Sequence, residues 1–94
     1  MKDKNYNKNL FKAILSLETI EECEHFFDDL CTIAEIQAMS QRLEVAEMLK
    51  AQIIYNEIVA KTGASSATVS RVARSLNYGS DGYRLVLERL ERDK

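Results

Sequence analysis

The sequence contains no proline and only three glycines in 94 residues. Proline and glycine are the residues that most often end helices and form tight turns. Their scarcity predicts an all-α fold, because little interrupts the long stretches of helical periodicity. The chain is 46% hydrophobic and 30% charged, which is typical of a globular protein and excludes a wholly disordered one.

Long apolar runs are also missing. No uninterrupted apolar stretch approaches the roughly 20 residues that a membrane helix needs. The N-terminal sequence MKDKNYNKN lacks an apolar signal region, so we expect a cytoplasmic protein. Cys23 and Cys31 are the only thiols, and they form no C-x-x-C motif and have no accompanying histidine pair. This spacing favours two reduced cysteines over a disulfide or a metal site.

The sequence has no phosphate-binding loop, no catalytic carboxylate pair and no cluster of metal ligands. We therefore expect no enzyme activity, no metal and no cofactor. A chain of this length forms one domain with a single modest core.

Charge is unevenly distributed along the chain. Residues 18–35 contain seven acids and no lysine or arginine, for a local charge of −7. Residues 58–80 contain three bases, Lys61, Arg71 and Arg74, and no acid. An electropositive segment in a protein of net charge −2 predicts an anionic partner for that segment.

Helical periodicity divides the first half of the chain into three elements. The first is predicted from about Tyr6 to Leu17, and the second begins after the N-cap Thr19 and ends near Cys31. Thr32 begins a second capping box, Thr32-Ile-Ala-Glu35, and the third helix that it opens extends to about Lys50. Its apolar residues form a wide stripe, which includes Ile33, Ile36, Met39, Leu43, Val45, Ala46, Met48 and Leu49. Such a stripe is covered either by a second chain or by the two N-terminal helices, and we favour a homodimer.

Residues 55–77 have the pattern of a helix-turn-helix. Gly63 suits the left-handed position after a first short helix, and Ser65 suits the N-cap of the second. Val69, Val72, Ala73 and Leu76 follow at the i, i+3, i+4, i+7 spacing of a buried face. The opposite face has small or hydroxyl side chains followed by arginines, which suits a helix that enters the major groove of DNA.

Residues 63–71, GASSATVSR, and Ser75–Asn77 resemble the helix-turn-helix of the Trp repressor, and Met39–Leu49 resembles the helix before it. The match covers roughly Thr32 to Leu90 and is most similar to the Trp-repressor-related YerC/YecD family. The resemblance implies a six-helix, intertwined homodimer that binds a palindromic operator in double-stranded DNA. It assigns base-edge contacts to Ser66, Ala67 and Ser70. Together with the residue pattern, it predicts a DNA-binding set of Asn56, Ser65, Ser66, Ala67, Thr68, Ser70, Arg71 and Arg74.

The same resemblance implies a ligand pocket at Arg42, Arg71, Val72 and Ser75. Arg71 and Arg42 match the arginines on either side of the tryptophan ring, and Ser75 matches a ligand-contacting serine. Val72 stands where the family has glycine, and its branched side chain fills space that the indole needs. We therefore expect no tryptophan corepressor.

The predicted layout is one Trp-repressor-like domain over residues 1–94. It comprises dimerisation helices at about 5–50, the helix-turn-helix at about 55–77 and a C-terminal helix at about 81–92. The predicted function is a transcriptional regulator, most simply a repressor. Two alternatives remain: a protein-interaction module that uses the acidic N-terminal helices, and a repressor gated by a small metabolite.

Overall fold

The computed structural model describes residues 4–93. Residues 1–3 and 94 lie outside the described part of the chain. The expectation about a signal region concerns the segment MKDKNYNKN, whose first three residues therefore lie outside the described part. The described residues form six α-helices and no strand, as predicted. The helices are α1 (Lys4–Leu15), α2 (Ile20–Leu30), α3 (Ile33–Lys50), α4 (Tyr55–Thr62), α5 (Ser66–Tyr78) and α6 (Gly82–Arg92).

Side-chain caps fix where the second and third helices begin. The Thr19 hydroxyl accepts a hydrogen bond from the Glu22 amide at 3.0 Å, which confirms the predicted N-cap of α2. Thr32 and Glu35 form a reciprocal capping box before α3, with amide-to-side-chain distances of 2.9 and 3.1 Å. Each cap involves residues only three positions apart. The sequence therefore predicts the first residues of both helices, Ile20 and Ile33, correctly. The end of α1 is less well predicted, since the helix stops at Leu15 rather than Leu17.

The chain divides into two compact units, one ending at Ile36 and the other beginning at Gln37. In the first unit no side chain is buried among the residues whose burial is described, 7–36. The rings of Phe26 and Phe27 meet edge to face, with centroids 5.7 Å apart, and both are half-buried. Cys23 is exposed, Cys31 is half-buried, and both thiols are free.

The second unit contains the hydrophobic core. Its buried residues come from α3, α4, the turn after α4, α5 and α6: Val45, Ala46, Ile58, Ala64, Val69, Val72 and Leu87. The predicted stripe on α3 is only partly buried, because Val45 and Ala46 are enclosed whereas Ile33 remains 75% exposed. Apolar residues at helical spacing are therefore not all covered within one chain.

The connection between α5 and α6 is tightly fitted. Gly79 follows α5 and donates its amide hydrogen to the Ser75 carbonyl at 2.9 Å. A Cβ atom at Gly79 would overlap that same carbonyl oxygen, so only glycine fits here without a shift of the backbone. Arg84 on α6 donates from Nε to the Leu76 carbonyl at 3.0 Å, which ties α6 to the end of α5. None of the helices in residues 4–93 combines the length and the apolar character required to cross a membrane.

Candidate nucleic-acid interface

The turn between α4 and α5 is held by backbone and threonine hydrogen bonds. Gly63 has φ +74°, the left-handed conformation that the sequence predicts, and its amide donates to the Val59 carbonyl at 3.0 Å. The Thr62 hydroxyl donates to the Ile58 carbonyl at 2.8 Å and accepts from the Ala64 amide at 3.1 Å. Ala64 is buried in the core, so the turn is anchored on its inner side.

Ser65 caps the start of α5, as predicted. Its hydroxyl oxygen accepts from the Thr68 amide at 3.1 Å, and the hydroxyl donates to Thr68 Oγ1, also at 3.1 Å. Both residues belong to the predicted DNA-binding set. The Ser65 and Thr68 hydroxyls are hydrogen-bonded to each other at the N-terminus of α5, so both residues stabilise the start of this helix.

Helix α5 has two chemically distinct faces. Val69, Val72 and Leu76 are buried, and Ala73 is half-buried beside them, which confirms the predicted inner face. Ser66, Ala67, Ser70, Arg71 and Arg74 are all exposed. The small side chains occupy the first turns and the arginines follow, so the exposed face offers hydroxyl groups and cationic groups along one helix.

Helix α4 adds two polar side chains to this part of the molecule. Asn56 lies exposed in its first turn, and Lys61 lies exposed in its last turn. Glu57 is the only acid in the helix-turn-helix segment, and no acid follows it until Asp81. The electropositive segment predicted from the sequence therefore includes three exposed cations, Lys61, Arg71 and Arg74. Phosphate groups are the anions that such a surface suits.

The family of this chain follows from its similarity to known proteins. The sequence profile of the Trp repressor protein matches residues 6–91. The chain belongs to the Trp repressor family. Trp repressor proteins are DNA-binding regulators and not enzymes.

Three relatives support this membership. The uncharacterized protein YerC of Bacillus subtilis (strain 168) is 58% identical over 82 residues, which cover 87% of this chain and 79% of YerC. A solved TrpR-like protein from Eubacterium eligens ATCC 27750 is 58% identical, with a TM-score of 0.87 over 89% of this chain and 87% of that one. A proposed Trp repressor from Staphylococcus aureus is 51% identical, with a TM-score of 0.88 over 96% and 89% of the two chains. The match to YerC confirms the predicted subfamily.

The four residues of the predicted ligand pocket have different surroundings in this Trp repressor family member. Val72 is only 2% exposed and belongs to the core, whereas Arg71 and Ser75 are exposed and Arg42 is half-buried. Of the four, Ser75 alone lines a cleft of about 550 Å³ beside the loop from α5 to α6. Within the described residues, no group of three or more histidine, cysteine or acidic side chains is arranged to hold a metal ion.

Sequence reasoning missed two residues that hold the helix-turn-helix in place. Gln41 on α3 donates from Nε2 to the Thr62 carbonyl at 3.1 Å, and Arg84 on α6 donates to the end of α5. Both partners are backbone carbonyls, which carry no sequence signal of their own. Gln41 also lies 21 residues from its partner, so no local pattern could have identified it.

Proposed function

We propose that this Trp repressor family member is a sequence-specific transcriptional repressor that acts in the cytoplasm as a homodimer on a palindromic operator. The observation that carries the proposal is the division of α5 into a buried apolar face and an exposed face of small, hydroxyl and arginine side chains. A helix of this kind can approach base edges closely because its outer side chains are short. The buried face keeps those side chains directed outward.

In this proposal, the exposed residues have distinct roles. Ser66, Ala67 and Ser70 contact base edges in the major groove, while Arg71 and Arg74 reach a guanine edge or the phosphates. Asn56 contacts DNA from the first helix of the motif. Ser65 and Thr68 hold the N-terminus of α5, where the free backbone amides and the helix dipole favour an approaching phosphate.

Exposed apolar side chains support the homodimer. Leu15 is 83% exposed and Ile20 is 78% exposed, and Phe11, Leu30 and Ile33 are also exposed in the single chain. Burial of such side chains contributes roughly 25 cal/mol for each Å² removed from water. A second copy of the chain supplies a matching apolar surface, and a two-fold dimer presents two recognition helices to a palindrome. We expect these two helices to lie about 34 Å apart, one turn of B-DNA.

Selection from random duplexes tests the proposal directly. The full chain is incubated with a random duplex library at about 150 mM salt, and bound molecules are amplified and sequenced over several rounds. We expect an enriched palindrome whose half-sites are centred about 10 base pairs apart. Selection without any enriched sequence, or of a single half-site bound by a monomer, would contradict it. The interaction module would be favoured instead by two results together. The protein would select no DNA sequence, and neutralising Glu21, Glu22 and Glu24 would abolish its binding to a protein partner.

We further propose that tryptophan is not the corepressor. Val72 is part of the core and has almost no accessible surface, so a ring cannot contact it without displacing its core neighbours. Titration calorimetry with L-tryptophan is expected to show no saturable binding up to about millimolar concentrations. Saturable binding, with tighter binding to the selected operator, would overturn this part of the proposal.

One observation favours gating by a different small molecule. The cleft beside Ser75 has the volume of a typical ligand site, and its walls combine Leu43, Tyr83 and Val86 with the hydroxyls of Ser75 and Ser80. It lies at the end of α5, where a bound molecule would change how that helix is held. A thermal-shift screen of amino acids and small aromatic acids, repeated with Ser75→Tyr to fill the cleft, tests this second candidate. A shift that is equal in both proteins would exclude this cleft as the site.

A further inference from the structure

Gln41 forms a polar link between α3 and the turn of the helix-turn-helix. Its side-chain amide donates to the Thr62 carbonyl at 3.1 Å, and both residues are half-buried. The amide lies directly beside the turn, since a Cβ atom placed on Gly63 would come 4.0 Å from Gln41 Nε2. A charge-free donor in this position can restrain the turn without adding to the electropositive surface.

The hydrogen bond acts on a peptide unit that is already held from the other side. The Thr62 carbonyl and the Gly63 amide belong to the same peptide plane. Gln41 holds the carbonyl, and the Val59 carbonyl accepts from the Gly63 amide at 3.0 Å. Rotation of this plane would have to break both contacts, and Gly63 is the residue in the left-handed conformation that sets the angle between α4 and α5.

Apolar packing alone does not give this directional restraint. Val45 and Ala46 on α3 share the core with Ile58, Val69 and the rest of the helix-turn-helix. Hydrophobic burial is non-directional. It therefore restrains the distance between the helices more strongly than it restrains the rotation of α5. A hydrogen bond to a carbonyl depends steeply on angle, and this one acts on Thr62, three residues before Ser65, the N-cap of α5.

We propose that Gln41 is a positioning residue for the recognition helix. It fixes the turn relative to α3 and thereby sets where Ser66, Ala67 and Ser70 lie when the protein meets a duplex. This inference rests on the proposed function in DNA recognition. It requires that loss of the amide weakens binding to the operator more than binding to unrelated DNA, because phosphate contacts tolerate small rotations that base contacts do not.

The test uses the ratio of affinities for the selected operator and for a scrambled duplex of the same length. Gln41→Met removes the donor and keeps the approximate volume. Gln37→Met is the matched control, because Gln37 is exposed one turn earlier on α3. Gln41→Lys restores a hydrogen-bond donor. The added positive charge raises the affinity for both duplexes alike, so the charge does not change the ratio of the two affinities. A net hydrogen-bond contribution of about 1 kcal/mol corresponds to a roughly fivefold effect.

We expect the ratio to fall about fivefold in Gln41→Met, to stay unchanged in Gln37→Met and to recover in Gln41→Lys. Hydrogen exchange of the Gly63 and Ala64 amides should become about fivefold faster in Gln41→Met only. Circular dichroism and thermal melting check that each variant folds. If Gln41→Met does not fold, Gln41→Glu replaces it, since an ionised carboxylate of the same length only accepts hydrogen bonds.

Other results separate the two proposals. A ratio within twofold of the unchanged protein in a folded Gln41→Met, or no recovery in Gln41→Lys, would overturn the positioning role while leaving DNA binding intact. If the unchanged protein binds no duplex selectively, the proposed function fails, and with it the positioning of base contacts. Amide exchange then still reports whether Gln41 restrains the turn.

Discussion

Helices α2 and α5 are of similar length, yet they distribute their side chains in opposite ways. Helix α5 buries three apolar residues and exposes arginines and hydroxyl groups, with no acid among its 13 residues. Helix α2 has no buried residue and exposes Glu21, Glu22 and Asp28, with no lysine or arginine. Helix α5 thus buries its apolar face within its own chain and suits an anion, whereas α2 leaves apolar side chains such as Ile20 and Leu30 exposed.

The largest expected effect lies in the core on which α5 rests. Ile58 is fully buried on α4 and belongs to the same cluster as Val69 and Val72. Ile58→Ala should lower the free energy of unfolding by about 2–5 kcal/mol, because it leaves a cavity that the neighbours fill only in part. Denaturant unfolding followed by circular dichroism measures the change. Ile54→Ala is the control at an exposed site. An equal decrease in the free energy of unfolding in both variants would show that Ile58 does not belong to the core.

An acidic substitution on α1 tests the role of the N-terminal unit. Phe11 is 57% exposed in the single chain. If a second copy covers it, Phe11→Asp should weaken dimerisation by about 30-fold or more, since a charge would be buried without a partner. Sedimentation over a range of concentrations gives the dissociation constant. Asn9→Asp adds the same charge at an exposed position of the same helix, and a dimer equally sensitive to both substitutions would argue against an apolar interface.

Removal of one arginine tests the outer face of α5. Arg71→Ala should weaken operator binding by about 1–3 kcal/mol. If Arg71 contacts a phosphate, the slope of log affinity against log salt should also become shallower by about one. Fluorescence anisotropy at several salt concentrations measures both quantities. Arg92→Ala removes an exposed arginine from α6 and serves as control, and identical behaviour of the two variants would mean that net charge alone is responsible.

The smallest effects distinguish two serines of the helix-turn-helix. Ser65→Ala removes the cap of α5 and should lower stability by about 1 kcal/mol. Ser70→Ala lies on the exposed face and should change stability by less than about 0.5 kcal/mol while weakening operator binding. Thermal unfolding and anisotropy are measured on both proteins. A Ser70→Ala variant with undiminished affinity would remove this residue from the proposed base contacts.

Local signals in the sequence account for most of the fold. Thr19, Thr32 and Ser65 cap the helices that they were predicted to cap, because the atoms that each cap requires lie within three residues. The left-handed Gly63 and the buried face of α5 follow from equally short-range patterns.

Contacts between distant residues could not be predicted in the same way. Which residues of the α3 stripe become buried depends on the elements that pack against it, and only Val45 and Ala46 are enclosed. The links from Gln41 and Arg84 to backbone carbonyls depend on tertiary placement as well. The exposed face of the candidate site was predictable, but the residues that hold it in position were not.

The glycine that follows α5 limits how this sequence can drift. Any side chain at position 79 would collide with the Ser75 carbonyl oxygen, whereas a Cβ atom at Gly82 would meet nothing within 4 Å. Codon changes at these two glycines therefore face unequal selection, although Gly79 caps the end of α5 and Gly82 begins α6 only three positions later. In a library evolved only to remain folded, position 82 should accumulate many residue types while position 79 stays glycine. Backbone geometry would then preserve glycine at position 79 independently of what the exposed face of α5 binds.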